Sequence, residues 1–241
     1  MMAARQADRG YKKQERRRFD EAEYMTKPIA YENMFWLFMI GSVLGVILEG
    51  IWCLIRTGHW ETHVVSMWGP FCIIYGFGAV GLYLGSVRLK NKSLITQFLV
   101  FSLIAAVFEY ACSWVLEYWL HMKAWDYSRH FLNIEGRVSL KMTVLWGALG
   151  IVFSRWLVPV IDKMFDRMQA KFWKAACIFM SVFMAVNLSL TAMCLVRWRD
   201  RHEGITPKNR VERVIDETYD DNKMEKRFCE WSFMDGKERA Y

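Results

Sequence analysis

The stretch MFWLFMIGSVLGVILEGIWCLI, from Met34 to Ile55, decides the fold of this chain. Its 22 residues contain a single charged side chain, that of Glu49. A helix needs about 20 mostly apolar residues to cross the hydrocarbon core of a bilayer. The stretch is therefore suited to a transmembrane helix, although the same pattern would fit a helix buried in the core of a soluble protein.

Further windows of the same kind argue against that alternative. They are Gly69–Val87, Leu94–Leu120, Met142–Ile161 and Ala175–Val196. A chain of 241 residues, 54% of them hydrophobic, has too little polar surface to cover five buried core helices. The sequence therefore predicts an all-α, polytopic transmembrane helical bundle with about five spans. It excludes a soluble globular enzyme, a disordered chain and a disulfide scaffold.

Charge divides the chain into three parts. Residues 33–196 hold only 13 of the 32 basic and 8 of the 25 acidic side chains. We therefore predict a basic cytoplasmic arm at 1–32, a transmembrane domain at 33–197 and a polar C-terminal tail at 198–241. The arm fixes orientation in the membrane or binds anionic lipid; binding of nucleic acid is not expected.

The basic residues favour an N-terminus inside a bacterial cytoplasmic membrane. Clusters at 88–92 and 163–174 fall on the same side as the arm if there are five spans. An odd number of spans places the tail, with Arg197, Arg199 and Arg201, on the opposite side, against the positive-inside rule. The tail is then an exception, or one segment is re-entrant, or the number of spans is even. We predict five spans.

The first and third windows resemble each other. Residues 42–49 align without a gap on residues 102–109, with Ser at the start and Glu at the end of both. Trp68-Gly69 and Trp146-Gly147 accompany the second and fourth windows. The pattern indicates a repeated helix pair about an axis along the membrane normal, unless apolar composition alone produced the match.

Glu49 and Glu109 are the leading candidates for a substrate or proton path. A carboxylate within a span costs about 2.5–3.5 kcal/mol on insertion scales, so it should face the bundle interior, pair or be protonated. Glu49 could instead lie near the interface. Arg155 either pairs with one of these carboxylates or extends to the cytoplasmic interface. Tyr75 completes the path, within a glycine-rich window suited to close helix packing or to unwinding around a ligand.

A second candidate site lies between the third and fourth windows. It comprises Trp125, Asp126, Tyr127, Asn133 and Arg137. Trp and Tyr suit the membrane interface, and the polar groups either hold the loop or line a substrate vestibule. His59 and His63 have the spacing of half a zinc site but lack a third ligand, so no metal or other cofactor is expected. Since no phosphate-binding GxxxxGK[ST] loop occurs, the chain is not itself an ATPase, and we favour a function other than catalysis.

Several of these segments together resemble a known family. They are Gly45…Glu49, Gly69-Pro70…Tyr75-Gly76-Phe77-Gly78, Glu109, Trp125-Asp126-Tyr127-Ser128, Asn133…Gly136-Arg137 and Trp146-Gly147…Gly150. Over residues 35–160 the chain resembles the bacterial CmpB-like family of ABC-transporter type IV proteins, or ABC transporter permeases. It departs from the family pattern at Met67-Trp68, where Arg-Gly is common.

The resemblance implies a permease subunit that moves a small substrate. Such a subunit would contact membrane lipid and would need a separate ATPase subunit or a second copy of itself. One rival is a membrane-embedded enzyme for a lipid or lipid-linked substrate, with Glu109 and either Asp126 or Glu117 as the acid/base pair and Arg137 on a phosphate. Another is a structural or sensory membrane module whose carboxylates only join helices.

Overall fold

The structure is a computed structural model that describes residues 29–60 and 63–234. Its helices are α1 (Tyr31–Thr57), α2 (Ile73–Leu89), α3 (Leu94–Leu120), α4 (Leu140–Val152), α5 (Val158–Arg167), α6 (Lys171–His202), α7 (Arg210–Thr218) and α8 (Asp221–Arg227), with a π-helical turn at Phe153–Leu157 between α4 and α5. Two-residue strands are β1 (Met122–Lys123), β2 (Asn133–Ile134), β3 (Val138–Ser139) and β4 (Ser232–Phe233). The predicted N-terminal arm lies outside the described residues except for its last four.

The predicted all-α transmembrane bundle is confirmed. Four helices are long and apolar enough to cross a membrane: α1, α3, the continuous Leu140–Arg167 segment and α6. Helix α2 is apolar but has only 17 residues, which is near the lower limit of about 17 for a span. Large apolar side chains on the outer faces of these helices are exposed, as lipid-facing positions would be.

The second helix does not begin at Gly69, where the sequence predicts its start. Gly69–Cys72 is not helical, and α2 begins only at Ile73. Gly69 has a φ of +73°, a left-handed conformation that few residues other than glycine adopt. Pro70 therefore belongs to the connection before α2 and not to the first turn of that helix.

The π-helical turn has a local cause. Pro159 lacks a backbone N–H, and its ring would clash with the carbonyl of Arg155 in a regular α-helix. Widening the turn at Phe153–Leu157 removes that clash while the helix continues to Arg167. Arg155 lies within this wider turn, with its side chain exposed.

The bundle contains two helical hairpins, and the two helices of each hairpin pack against each other through equivalent contacts. In the α1–α2 hairpin, a Cβ added to Gly76 would overlap the hydroxyl of Ser42. In the α3–α4 hairpin, a Cβ added to Gly147 would overlap the hydroxyl of Ser102. The two serines are the first residues of the aligned segments, so the repeat seen in the sequence is also a repeat of packing.

A neighbouring contact also repeats, but its glycine lies on the first helix of one hairpin and on the second helix of the other. Gly41 lies against Ala79 in the first hairpin, and a Cβ on Gly41 would approach the Ala79 Cβ to 2.8 Å. At the equivalent positions of the second hairpin, Phe101 lies against Gly150. One small residue in each pair is enough to let the helix backbones approach closely.

The C-terminal residues form a structured cap, defined as residues 203–234, on one end of the bundle. Strand β4 of the cap pairs antiparallel with β1, which follows α3. Apolar side chains from the cap, from the end of α6 and from both inter-helix connections share one core: Met67, Met122, Cys194, Leu195, Trp198, Ile215, Met224, Phe228 and Trp231. Helix α6 runs through the predicted domain boundary at 197/198, so bundle and cap are continuous.

The cap defines two faces of the bundle. The cap face carries the α1–α2 and α3–α4 connections together with the cap. The opposite face, here called the basic face, carries the start of α1 and the short α2–α3 and α5–α6 connections. With five helical passes, the tail and the described start of the chain lie on opposite faces.

Candidate functional site

The site is built on a non-helical segment, Val64–Cys72, that folds back into the bundle. The backbone N–H groups of Met67 and Trp68 donate to the side chains of Thr191 (2.8 Å) and Asn187 (3.0 Å) on α6. Asn187 also donates to the carbonyl oxygen of Trp68 at 2.8 Å. Asn187 lies near the middle of α6 and is fully buried. Irregular backbone within a membrane domain requires such partners from the protein itself.

This re-entrant segment sets the level at which α2 begins. Its last residue, Cys72, donates its backbone N–H to the carbonyl oxygen of Ser42, halfway along α1. Tyr75, in the first turn of α2, is therefore brought beside Glu49 on α1. The hydroxyl of Tyr75 donates a short hydrogen bond to Glu49 Oε1.

Glu109 occupies the equivalent position in the second hairpin. Its Oε1 accepts a hydrogen bond of 2.9 Å from the hydroxyl of Tyr127. Its Oε2 is buried and accepts no hydrogen bond from any residue in the described part of the chain. The indole of Trp146 lies next to this carboxylate without meeting the geometry of a hydrogen bond. Trp146 corresponds to Tyr75 in the repeat, since each precedes the packing glycine of its hairpin.

The two hairpins bring these residues into one cluster. The rings of Tyr75 and Trp146 meet edge to face across the hairpin interface, with centroids 6.0 Å apart. Tyr127 also lies within electrostatic range of Glu49. We call this cluster of Glu49, Tyr75, Glu109, Tyr127 and Trp146 the carboxylate site. It joins residues of both predicted sites, because Tyr127 comes from the loop between α3 and α4.

The predicted cationic partner is not part of the cluster. Arg155 lies in the π-helical turn and forms no ion pair with Glu49 or Glu109. Arg137 pairs with Glu117 near the end of α3, at 2.6 Å, and also contacts Glu135. Neither arginine therefore neutralises the carboxylate site.

The remaining loop residues hold the loop. The indole of Trp125 donates to the carbonyl oxygen of Arg137 at 3.0 Å. Asp126 accepts from the backbone N–H of Ser128 at 2.8 Å. Asn133 donates to two loop carbonyls and accepts from the backbone N–H of Gly136. This framework positions Tyr127.

The Tyr127 hydroxyl stays protonated at physiological pH. Burial and the charge of Glu109 both raise the pKa of Tyr127 above its ordinary value. The neutral phenol can therefore act as a hydrogen-bond donor to Glu109 throughout the physiological range.

The cap reaches the re-entrant segment through two charged side chains. Arg227 donates to the carbonyl oxygens of Ser66, at 2.8 Å, and Gly69. His63, which directly precedes the segment, forms an ion pair with Glu230. Burial lowers the pKa of His63, but the hydrogen bond and charge of Glu230 outweigh it and raise the pKa to about 9.

The His63–Glu230 pair predicts a pH dependence. A raised pKa means that the pair stabilises the folded state fully below about pH 6.5 and loses this effect as the pH rises through about 9. Since Glu230 is partly exposed, we expect a loss of about 1–2 kcal/mol. Thermal unfolding between pH 6 and 9.5 measures it, with His63→Gln as the control. An equal loss in His63→Gln would show that another group titrates.

The sequence alone does not reveal the roles of three residues in this architecture. The sequence marks Trp146 through the repeat and the family resemblance but assigns it no place in the site, although its alignment with Tyr75 is the available signal. Asn187, the one Asn within the fifth apolar window, is a polar residue that needs a partner in a membrane. The spacing of His63 from His59 suggests only a metal ligand, and its partner Glu230 is too distant in the sequence to infer.

Comparison with known proteins agrees with this architecture. Residues 36–192 match the model of a family described as "Putative ABC-transporter type IV". No curated protein and no solved structure matches the chain. The matched region contains both hairpins, the re-entrant segment and most of α6, and thus the whole carboxylate site. The chain therefore belongs to this family, the CmpB-like family of membrane proteins.

Proposed function

We propose that this chain is the membrane-spanning permease subunit of a transporter, and that a small substrate crosses between the two hairpins through the carboxylate site. One observation carries the proposal: each of two repeated hairpins holds a carboxylate beside an aromatic residue, the two aromatic rings meet at the hairpin interface, and non-helical backbone lies next to them. Transporters place their sites at repeat interfaces near irregular helix ends. Family membership supports the same class.

The energy source in this proposal is a separate ATPase. The chain has no phosphate-binding loop of its own. The ATPase, or a second copy of the chain, would complete the path. Exposed apolar side chains on the spans would contact membrane lipid.

The proposed orientation puts the basic face in the bacterial cytoplasm. Seven basic residues lie at or near this face: Arg88, Lys90, Lys92, Lys163, Arg167, Lys171 and Lys174. The arginines at the opposite face do not carry equal weight, because each is paired with a carboxylate: Arg197 and Arg201 with Asp216 of the cap, and Arg199 with Asp200 on α6.

The lipid-enzyme alternative has less support. Arg137, which would hold a phosphate, is engaged by Glu117 and Glu135. Asp126, one candidate acid or base, accepts a hydrogen bond within its own loop.

The experiment is purification of the intact chain from its native membrane in mild detergent, followed by mass spectrometry of co-eluting proteins. A stoichiometric ATPase whose ATP hydrolysis depends on this chain is the expected result. A homo-oligomer with bound lipid and no ATPase would overturn the ABC-type proposal. Purification of a tagged variant that lacks residues 203–241, and with them the cap, tests whether binding of the ATPase instead depends on the cap face.

A further inference from the structure

The carboxylate site carries more negative charge than its surroundings neutralise. The imidazole of His63 interacts electrostatically with Glu49, but its direct ion pair is with Glu230. Arg137 is paired with Glu117, and Glu109 Oε2 has no hydrogen-bond partner among the described residues. A carboxylate removed from water requires a proton or a cation beside it. The site therefore lacks one or more positive charges.

The surroundings do not resemble a site for a hard metal ion. Calcium and magnesium take six or more oxygen ligands. In the described part of the chain, no group of three His, Cys, Asp or Glu side chains is arranged so that it could hold a metal ion. The side chains of the carboxylate site offer the oxygens of two carboxylates and two tyrosine hydroxyls, and each hydroxyl already donates to a carboxylate.

Three aromatic side chains lie beside the carboxylates. Tyr75 and Trp146 meet edge to face, and Tyr127 lies on the Glu109 side. Faces of Trp and Tyr rings attract ammonium groups through the ring quadrupole, most strongly where water is excluded. Tyr and Trp rings together with carboxylates are the groups with which proteins recognise an organic ammonium ion.

We infer that the carboxylate site binds an organic ammonium cation, with Glu49 and Glu109 balancing its charge and Trp146 and Tyr75 contacting its alkyl groups. The inference rests on the proposed function, because it names the substrate class of the same site. It assigns Trp146 a binding role and explains the unpartnered oxygen of Glu109.

The probe is radiolabelled tetramethylammonium, and the measurement is equilibrium binding to the full-length chain in detergent. We expect saturable binding that an excess of unlabelled tetraethylammonium displaces. Sodium or calcium at the same concentration as the tetraethylammonium should not displace it. Saturable displacement by calcium or sodium would overturn the inference in favour of a metal ion. Absence of saturable binding between pH 6 and 9 would overturn it in favour of protonated carboxylates.

Variants connect binding to the site. Glu109→Gln should weaken tetramethylammonium binding by about 10-fold or more, because it removes a desolvated charge partner. Asp162→Asn is the matched control, since Asp162 also accepts from a tyrosine, Tyr83, at 2.7 Å, but in a different part of the bundle. Its binding affinity should be unchanged. Equal losses in both variants would refute the assignment.

Trp146 provides a test that is independent of charge. Trp146→Leu should weaken binding by about 5- to 30-fold, and Trp146→Phe should stay within about 3-fold of the unaltered chain. Equal binding by the Leu and Phe variants would rule out a cation–π contact. The unfolding temperature of every variant is measured alongside; if Glu109→Gln fails to fold, its carboxylate is structural and the Trp146 pair decides the inference.

The two proposals fail separately. A complex that contains the ATPase but does not bind tetramethylammonium refutes the ammonium inference and leaves the ABC-type transporter in place. A chain that binds tetramethylammonium but has no ATPase refutes the ABC-type proposal and leaves the binding site in place.

Discussion

Asp216→Ala is expected to destabilise the folded protein by about 3–5 kcal/mol, because it leaves a buried guanidinium without its main partner. The side chain of Arg197 is only 3% exposed and donates to Asp216 at 2.6 Å. Asp216 also accepts from Arg201 at 2.5 Å. Asp200, at 3.2 Å from Arg197, remains in the variant and keeps the expected loss near the lower limit.

The loss should appear first as release of the cap. Asp216 lies on α7 and Arg197 on α6, so their bond joins the cap to the bundle. Thermal unfolding in detergent measures the stability, and trypsin cleavage after Lys208, between α6 and α7, measures release of the cap. Glu225→Ala is the matched control, because Glu225 is an exposed carboxylate of the same cap. Its stability should change by less than about 0.5 kcal/mol.

A double variant separates charge from packing. Replacing a buried ion pair by apolar side chains is often neutral, so Arg197→Met combined with Asp216→Ala should recover much of the loss. If the double variant is as unstable as Asp216→Ala alone, the unpaired guanidinium is not the cause.

The same bond makes the cap sensitive to acid. Burial raises the pKa of Asp216, but hydrogen bonds from Arg197 and Arg201 outweigh this and lower the pKa below its ordinary value. A lowered pKa gives stability that is present above about pH 4 and lost as the pH falls through the folded-state pKa. The cap is therefore expected to remain docked at neutral pH.

Gly76→Ala is expected to destabilise the α1–α2 hairpin by about 2–3 kcal/mol through overpacking. A Cβ at this position would overlap Ser42 Oγ and approach the carbonyl oxygen of Phe38 to 2.7 Å. The carbonyl belongs to the α1 backbone, so relief requires the helices to separate. Separation would also move Tyr75, the preceding residue, away from Glu49.

Gly78→Ala in the same helix is the matched control. A Cβ on Gly78 would meet nothing within 4 Å. Alanine has the higher helix propensity by about 1 kcal/mol, so this variant should be unchanged or slightly more stable. Unfolding in detergent compares the two variants, and similar destabilisation of both would show that the close approach at Gly76 does not limit packing.

The hairpin repeat explains why much of the fold could be predicted. Apolar windows of span length predict helices because lipid offers no other partner for the backbone. The alignment of Ser42 and Glu49 with Ser102 and Glu109 predicted the repeated pair, because equivalent packing requires equivalent small and polar residues. What it did not predict was the start of α2, since the apolar residues at 69–72 fit a helix as well as a buried connection.

The sequence by itself determined a helical membrane bundle, its repeated hairpin and the two intramembrane carboxylates, because span length and the cost of buried charge are local properties of the chain. Only the tertiary structure decided which groups meet. Hydrogen bonds from Asn187 and Thr191 fold the re-entrant segment into the bundle, and this brings Tyr75 to Glu49. The loop framework delivers Tyr127 to Glu109, and the cap covers the segment from more than 150 residues away. These contacts join residues far apart in the chain, and no local pattern specifies them.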